Sequence, residues 1–566
     1  MLIGIAVLTV WVPRIVGKAV DGLIAGTLSG GALARELFTL VIMGAVIYLL
    51  RVGWRLQLFS AAYQLGVELR TRLYERLAHQ GPSFFNRSRT GDLMARATND
   101  VDAIEMAAGE AFLAGFDGTL TLILVIAMMA LGIDWRLALI ALLPFPLMAL
   151  AFWLISRRVH IAWRDSLDRF SNLNDHVQET IGGVRTLRAL GLEMHAGREF
   201  AQRAGAAADA NFRALKWEAA YEPAVGLTLT TTTALTLGVG GWLVWQQELT
   251  VGELTSFAMY LSQLIWPMFA AGWVLSLIER GKAGWTRLQP TLAEPLSIAD
   301  NGTTDAMLTG TLRFEQVSFG YGSQSLNAIE DVSFELPAGH TLGIVGPTGS
   351  GKSTLLALLL RHYAPNSGRI TWGGSPIEGY SLDALRGAIS WVPQEAFLFS
   401  ATLAENIALA RSDATHIELE NAAELAALHE DIAQFPQGYQ TLVGERGVTL
   451  SGGQRQRVAI ARALLTEKPM LLLDDALSAV DTGTETRILS HLRAERSEQR
   501  VGSPQQHRTA IIVSHRLSAV ADADIILVLR AGRIVEVGSH QQLLVTNGWY
   551  ASQWRYQQLA ASLEAA

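Results

Sequence analysis

The 566-residue chain contains no cysteine, which excludes disulfides, thiolate metal sites and a cysteine nucleophile. The absence leaves the compartment open, since neither a cytosolic nor a membrane protein needs the residue. Charge is scarce too: Asp, Glu, Lys and Arg make up 17% of the chain against 50% hydrophobic residues. With a positive mean hydropathy, this balance argues against an ordinary soluble enzyme and for a membrane protein. A net charge of −7 is modest for the length and gives no electrostatic case for nucleic acid as a partner. The apolar residues are unevenly spread. Long apolar windows end near residue 280, and short apolar runs then alternate with polar turns, as in a soluble α/β domain.

Six windows are long or apolar enough to cross a hydrocarbon core of roughly 30 Å, which takes about 20 helical residues. They lie near 1–24, 37–60, 111–133, 137–156, 223–245 and 256–277. The first is the weakest, because Pro13, Arg14 and Lys18 interrupt it; the chain reads as starting inside this span, as a shortened or misassigned start would leave it. A cleavable signal peptide would need a basic segment before the apolar run and a small-residue cleavage site, and neither is evident. Between spans two and three, and between four and five, lie polar stretches of about 50 and 65 residues rich in arginine, among them Arg70, Arg72, Arg76, Arg157, Arg158 and Arg185. The opposite loops are short and carry mainly Arg35 and Arg136. By the positive-inside rule the long loops and both termini are cytoplasmic, and helical periodicity predicts rods that extend spans two to five beyond the membrane. Eleven of the fifteen tryptophans precede residue 290. Interfacial anchoring in membrane lipid accounts for them, with substrate contact as the alternative, and Trp266, Phe269 and Trp273 at helical spacing read first as packing residues. Glu222 and Lys18 are charges near span ends, either snorkelling or functional.

A stretch near 289–310 reads as a linker between a membrane domain (1–288) and a second domain (311–550), with 551–566 as a tail. In the second domain the apolar run Thr341 to Val345 leads into Gly346-Pro-Thr-Gly349-Ser-Gly351-Lys352-Ser353-Thr354 and a helical run, which is GxxxxGK[ST] in its strand, loop and helix setting. Glycines there let backbone N–H groups wrap phosphates, Lys352 reaches the β/γ oxygens, and the Ser353 hydroxyl ligates Mg²⁺, so ATP and Mg²⁺ are the expected cofactors. Met470 to Leu473 reads as a buried strand that delivers Asp474 to the Mg²⁺ shell, followed by Asp475 at the general-base position. The polar segment 497–507 reads as a surface loop.

Leu450-Ser451-Gly452-Gly453-Gln454, twenty-three residues before Asp474, resembles the signature of ATP-binding cassette (ABC) proteins and is far more specific than the P-loop. Tyr321 resembles the adenine-stacking aromatic and Gln394 the Q-loop glutamine that reaches the Mg²⁺. Ser478 to Asp481 resembles the D-loop, His515 the switch histidine, and Val443 to Gly447 the X-loop of exporters. With Gln178 to Arg185 in the second long loop, the whole chain resembles the half-transporters of the B-type exporter group. The implied fold is an all-α six-helix membrane domain of type IV exporter form followed by an α/β P-loop NTPase. The resemblance further implies coupling helices near Thr90 to Asp100 and Glu179 to Leu190 that dock into cassettes, with Glu445 joining that contact. The signature would serve the nucleotide of a second cassette facing head to tail.

The one departure is Asp475, where the family places glutamate. A base one methylene short loses reach, and a displacement of about 1 Å can cost on the order of a hundredfold in rate. The resemblance then implies a heterodimer with a second, non-identical half-transporter, as in multidrug-exporter-like pairs of the bacterial inner membrane. This chain's own site would be slow, while its intact signature completes the partner's. The expected function is ATP-driven export of amphipathic or hydrophobic, drug- or lipid-like small molecules. A siderophore importer of exporter fold, or a regulatory or ATP-gated subunit, are the alternatives.

Overall fold

The computed structural model describes residues 1–28, 30–305, 308–322, 327–444, 450–498 and 508–564. The chain divides into two units, one of residues 1–76 and 91–293, the other of residues 77–90 and 294–566.

The first unit is all helix. Six helical stretches are long and apolar enough to cross a membrane: Leu2–Ile24, Gly31–Ala78, Thr90–Gly132, Trp135–Gly182, Glu193–Trp245 and Val251–Ala293. The last five have 43 to 53 residues, hence about 65 to 80 Å at 1.5 Å per residue, more than twice a bilayer core. Rods are therefore found in spans two to six, and residues 289–293 belong to the sixth helix. The apolar window of the second span has none of its residues buried, which suits a helix whose outer surface faces lipid.

Pro13 sits inside the first helix without ending it. Proline has no N–H to give the carbonyl four residues back, and the sixth span makes up the loss, Gln263 Nε2 donating to Thr9 O at 3.3 Å; Tyr260 OH to Val10 O and Ser256 Oγ to Pro13 O, both at 2.8 Å, bind the two helices further. Asp21 ties the other end, accepting from Gly252 N at 2.7 Å and Thr250 Oγ1 at 2.6 Å. The third span contains two π-helical segments, Arg96–Asp100 and Ala107–Ala111. It lies so close to the sixth that a side chain at Gly284 would meet Asp100 O at 2.7 Å.

The second unit holds two sheets. One is antiparallel, in order β2-β1-β4-β5, from β1 Leu312–Phe319, β2 Ile329–Leu336, β4 Ser367–Trp372 and β5 Ser375–Pro376. The other, in order β10-β9-β3-β8-β7-β6, comprises β3 Thr341–Val345, β6 Ile389–Val392, β7 Met470–Asp474, β8 Thr509–Val513, β9 Ile525–Arg530 and β10 Arg533–Gly538. Its inner strands pair in parallel, and β3 and β7 are buried along their whole length. Strand alternation feeds two cores: Met470 and Leu472 join the one shared with the antiparallel sheet, and Leu471 and Leu473 the one shared with the helices between Leu403 and Leu464. Residues 549–564 form a helix whose Tyr550 and Ala551 are buried.

Candidate nucleotide site

The order β3-β8-β7 sets three loop starts side by side at the carboxyl ends of parallel strands, where α/β sheets bind ligands. Ile344 of β3 pairs with Val513 of β8, which pairs with Asp474 of β7. The P-loop, the segment to His515 and the Asp474–Asp475 pair therefore converge.

At Gly346 (φ +153°) a Cβ would sit 2.1 Å from Leu529 O, and at Gly351 (φ +99°) 2.5 Å from Ala328 O, so only glycine fits this turn; Gly349 has φ +77°. Helix Lys352–Leu359 follows, its N-terminus facing the loop. Lys352 is buried and its Nζ donates to Gly346 O at 3.0 Å and Pro347 O at 2.9 Å. Burial pushes its pKa down while Asp475 and Asp474 push it back up. An ammonium folded onto its own loop carbonyls has those bonds to exchange for phosphate oxygens.

Ser353 Oγ donates to Asp474 Oδ1 at 2.8 Å. Burial raises the Asp474 pKa first of all; the Ser353 hydrogen bond opposes this and the neighbouring Asp475 carboxylate adds to it. A hydroxyl and a carboxylate in contact are the hard oxygen donors Mg²⁺ takes when nucleotide phosphates complete its shell, so the residues fit that ion. Among the described residues the buried Ser350 Oγ has no hydrogen-bond partner, which leaves it a donor for a phosphate oxygen.

Asp475 is held in the left-handed region, φ +48°, which Asp tolerates better than Glu. Its N–H donates to Val513 O at 2.9 Å, its carbonyl accepts from Ser478 N at 3.1 Å and Ser478 Oγ at 2.8 Å, and its Oδ1 accepts from His515 N at 3.3 Å. The short carboxylate is thus buried and turned toward the switch segment. The His515 residue itself is exposed.

Ser451 and Gln454 cap helix Gly452–Leu464 reciprocally: Gln454 N donates to Ser451 Oγ at 3.2 Å and Ser451 N to Gln454 Oε1 at 3.0 Å. A Cβ at Gly453 would meet Ala479 O at 2.8 Å, so the D-loop lies directly on this turn. Among the described residues the Gln394 side chain makes no hydrogen bond to Ser353 or Asp474; its carbonyl accepts from Gln456 Nε2 at 3.2 Å. Tyr321, half-exposed, places its OH 3.0 Å from Thr354 Oγ1 and meets Phe319 and Tyr363 edge-on, leaving ring surface to solvent.

Two glutamines are absent from the sequence reading. Buried Gln456 accepts from Ala479 N at 3.1 Å as well as donating to Gln394 O, so one side chain joins signature helix, Q-loop and D-loop. Its signal was a lone amide within the buried stripe of that helix. Gln557, in the stretch read as a tail, accepts from Leu517 N and donates to His515 O, both at 2.9 Å; nothing local in the sequence marks it. The expected first coupling helix also shifts. Arg96 and Asp100 bind Thr291 and Arg287 within the membrane domain, whereas residues 77–90 are the ones attached to the cassette. There Gly81 N donates to Ser297 Oγ at 2.9 Å and Asn86 Nδ2 to Tyr363 OH at 3.0 Å. Close packing at Gly284 is what commits Asp100 to the sixth helix. Helix Val184–Leu190 has no buried residue. Glu445 and most of the segment 497–507 lie outside the described residues.

Comparison with known proteins places these features in a family. Residues 2–268 match the family described as ABC transporter transmembrane region, and residues 329–478 the family described as ABC transporter. The chain is 43% identical over 566 residues to the multidrug resistance-like ATP-binding protein MdlA of Escherichia coli (strain K12), covering 100% of this chain and 94% of that one. It is 39% identical over 565 residues to the probable multidrug resistance ABC transporter ATP-binding/permease protein YheI of Bacillus subtilis (strain 168), covering 100% and 95%. Among solved structures, a bacterial Atm1-family ABC exporter with ATP bound is similar with a TM-score of 0.76 and 31% identity, covering 98% of this chain and 96% of that one.

Proposed function

The chain belongs to the ABC transporter family, as an exporter of the multidrug-resistance-like kind, and from that premise we propose that it is the slow-site half of a heterodimeric pump. Its partner is a second half-transporter, MdlB-like in kind. The pair moves amphipathic or hydrophobic small molecules across the bacterial cytoplasmic membrane by alternating access. The cassette and both termini are cytoplasmic, in keeping with the arginine-rich long loops.

Tyr321 stacks the adenine; Gly346, Gly349, Gly351 and Thr354 shape the phosphate cradle, and Lys352 holds the terminal phosphates. Ser353, Asp474 and Gln394 would hold Mg²⁺, which when bound neutralises phosphate charge. Gln394 must swing in for this, as its carbonyl but not its side chain is tied down. Asp475 accepts the proton of the attacking water, and His515 orients the terminal phosphate. Ser451, Gly452, Gly453 and Gln454 present a capped helix end to the partner's nucleotide, where N–H groups and the helix dipole favour negative charge.

One observation carries the asymmetry. Lys352, Ser353 and Asp474 are assembled while Asp475 is short, buried and engaged by His515 N–H. The test is ATPase activity of the purified chain alone, with a glutamate-bearing partner, and with that partner's base removed. Low activity alone, a strong rise with the partner and loss of the rise with the base are expected. Full activity from the chain alone would sink the slow-site reading.

A further inference from the structure

The second and third spans carry charges that the span boundaries passed over. Arg51 and Arg55, four residues apart on one face of helix Gly31–Ala78, and Asp117 of the third span line one cavity of about 260 Å³. Trp54 and Trp266 complete its polar and aromatic wall, and Ile5 of the first span lines it as well. Four helices of the membrane domain thus converge on it. Arg51 lies about 30 Å along its helix from Gly31, and Asp117 about 22 Å from Gly132. Measured from the short-loop side at the same rise, Asp117 lies inside a roughly 30 Å core, Arg51 at its far edge and Arg55 about 6 Å beyond.

A carboxylate at the depth of Asp117 is costly and faces protein or a cavity when it persists. The three charges sum to one positive unit. Among the described residues no salt bridge engages either arginine, in contrast to Arg70, which pairs with Asp102 and Glu105. Simple snorkelling would leave the guanidiniums on the lipid face with no need of a carboxylate. Here both arginines, though exposed, border the same cavity as the half-buried Asp117 and as Ile5 and Ala114, both 2% exposed or less.

We propose that this cavity is an anion-recognising subsite of the transport pathway, which takes the carboxylate, sulfonate or phosphate headgroup of an anionic amphipath. The arginines grip the headgroup as planar, multi-donor forks. Asp117 offsets one of the two positive charges and so limits the site to one net negative charge, and the indole faces of Trp54 and Trp266 receive the first apolar part of the ligand. The volume is slightly below that of a drug-sized pocket, so the tail extends beyond it. This substrate class rests on the exporter reading above.

The test is binding, which needs neither ATP nor transport. The full chain, with its partner where a complex forms, is placed in phosphatidylcholine nanodiscs, and tryptophan-to-dansyl energy transfer is read for dansylundecanoic acid and for its neutral methyl ester, corrected for empty discs. The acid is expected to bind on the order of ten- to a hundredfold tighter than the ester. Arg51→Gln with Arg55→Gln should abolish that preference and leave the ester unchanged, and Asp117→Asn should tighten acid binding. Arg55→Gln alone should halve or better the acid preference, which keeps the test open if the double variant does not fold. Equal affinities in the wild type, or equal losses for both probes in the variants, overturn the proposal. Phosphatidylglycerol added to the discs displaces the probe if the natural ligand is a lipid headgroup and leaves it bound if it is a soluble amphipath; the acid preference supports the anion site in either case. Charge-dependent binding without transport would leave this site standing and sink the exporter reading. Transport indifferent to charge would do the reverse.

Discussion

At residue 475 a missing methylene and an unusual backbone act together. The left-handed φ favours Asp, whereas reach toward a water favours Glu, so Asp475→Glu is expected to raise ATPase turnover by about ten- to a hundredfold. The same change should lower stability by about 1 kcal/mol through the φ value. Steady-state phosphate release and thermal unfolding check the two signs. His362 gives a pH signature. It packs edge-on against Trp391 at 5.4 Å, and burial, with the Arg386 charge second, lowers its pKa from 6.5 to about 4. The unfolded chain therefore binds the proton first. The neutral ring's contribution is fully present above pH 6.5 and is lost as pH falls from there to about 4, up to about 3 kcal/mol. Thermal unfolding across that range should show the loss in the wild type and a flatter profile in His362→Gln.

Among the elements, the signature helix is legible by motif and the bond network that locks it is not. Leu450 to Gln454 announce themselves, but Gln456 earns its place only when β6 and β7 bring the Q-loop and D-loop to its side chain. Gln456→Ala removes both hydrogen bonds, at about 0.5 to 1.5 kcal/mol each, since Ala479 and Gln394 are exposed and their freed groups can take water. A lower melting temperature of the cassette, with weaker partner-stimulated ATPase, is the expected outcome. Gln456→Glu keeps the acceptor for Ala479 but sets a carboxylate against the Gln394 carbonyl, and should rescue little. The first span shows the same limit. Pro13 reads as an interruption in sequence, yet the helix runs through it: Gln263 satisfies the Thr9 carbonyl that proline leaves without its N–H, and Tyr260 and Ser256 tie the neighbouring Val10 and Pro13 carbonyls to the sixth span. Arg51, Arg55 and Asp117 pass unmarked inside the span windows for a related reason, since apolar windows average over single charges.

At the scale of the whole molecule, the loop between spans two and three is what the cassette holds. Asn86 bonds Tyr363, whose ring meets the ring of Tyr321, and Tyr321 bonds Thr354 of the P-loop. That line joins the loop to the nucleotide site in two hydrogen bonds and one ring contact. Asn86→Ala should leave basal ATPase near the wild-type value while reducing its stimulation by transported compounds, by about two- to tenfold for a coupling of ordinary size. ATPase assays with and without such a compound decide it. Sequence alone determined the six apolar helices, the cassette with its P-loop and signature, and the odd acid at 475. These rest on local periodicity and on short motifs whose chemistry needs particular residues at fixed spacing. Tertiary structure decided which loop the cassette holds, what Asp475 touches, and how Arg51, Arg55 and Asp117 come together, because each depends on side chains tens to hundreds of residues apart meeting at a single point.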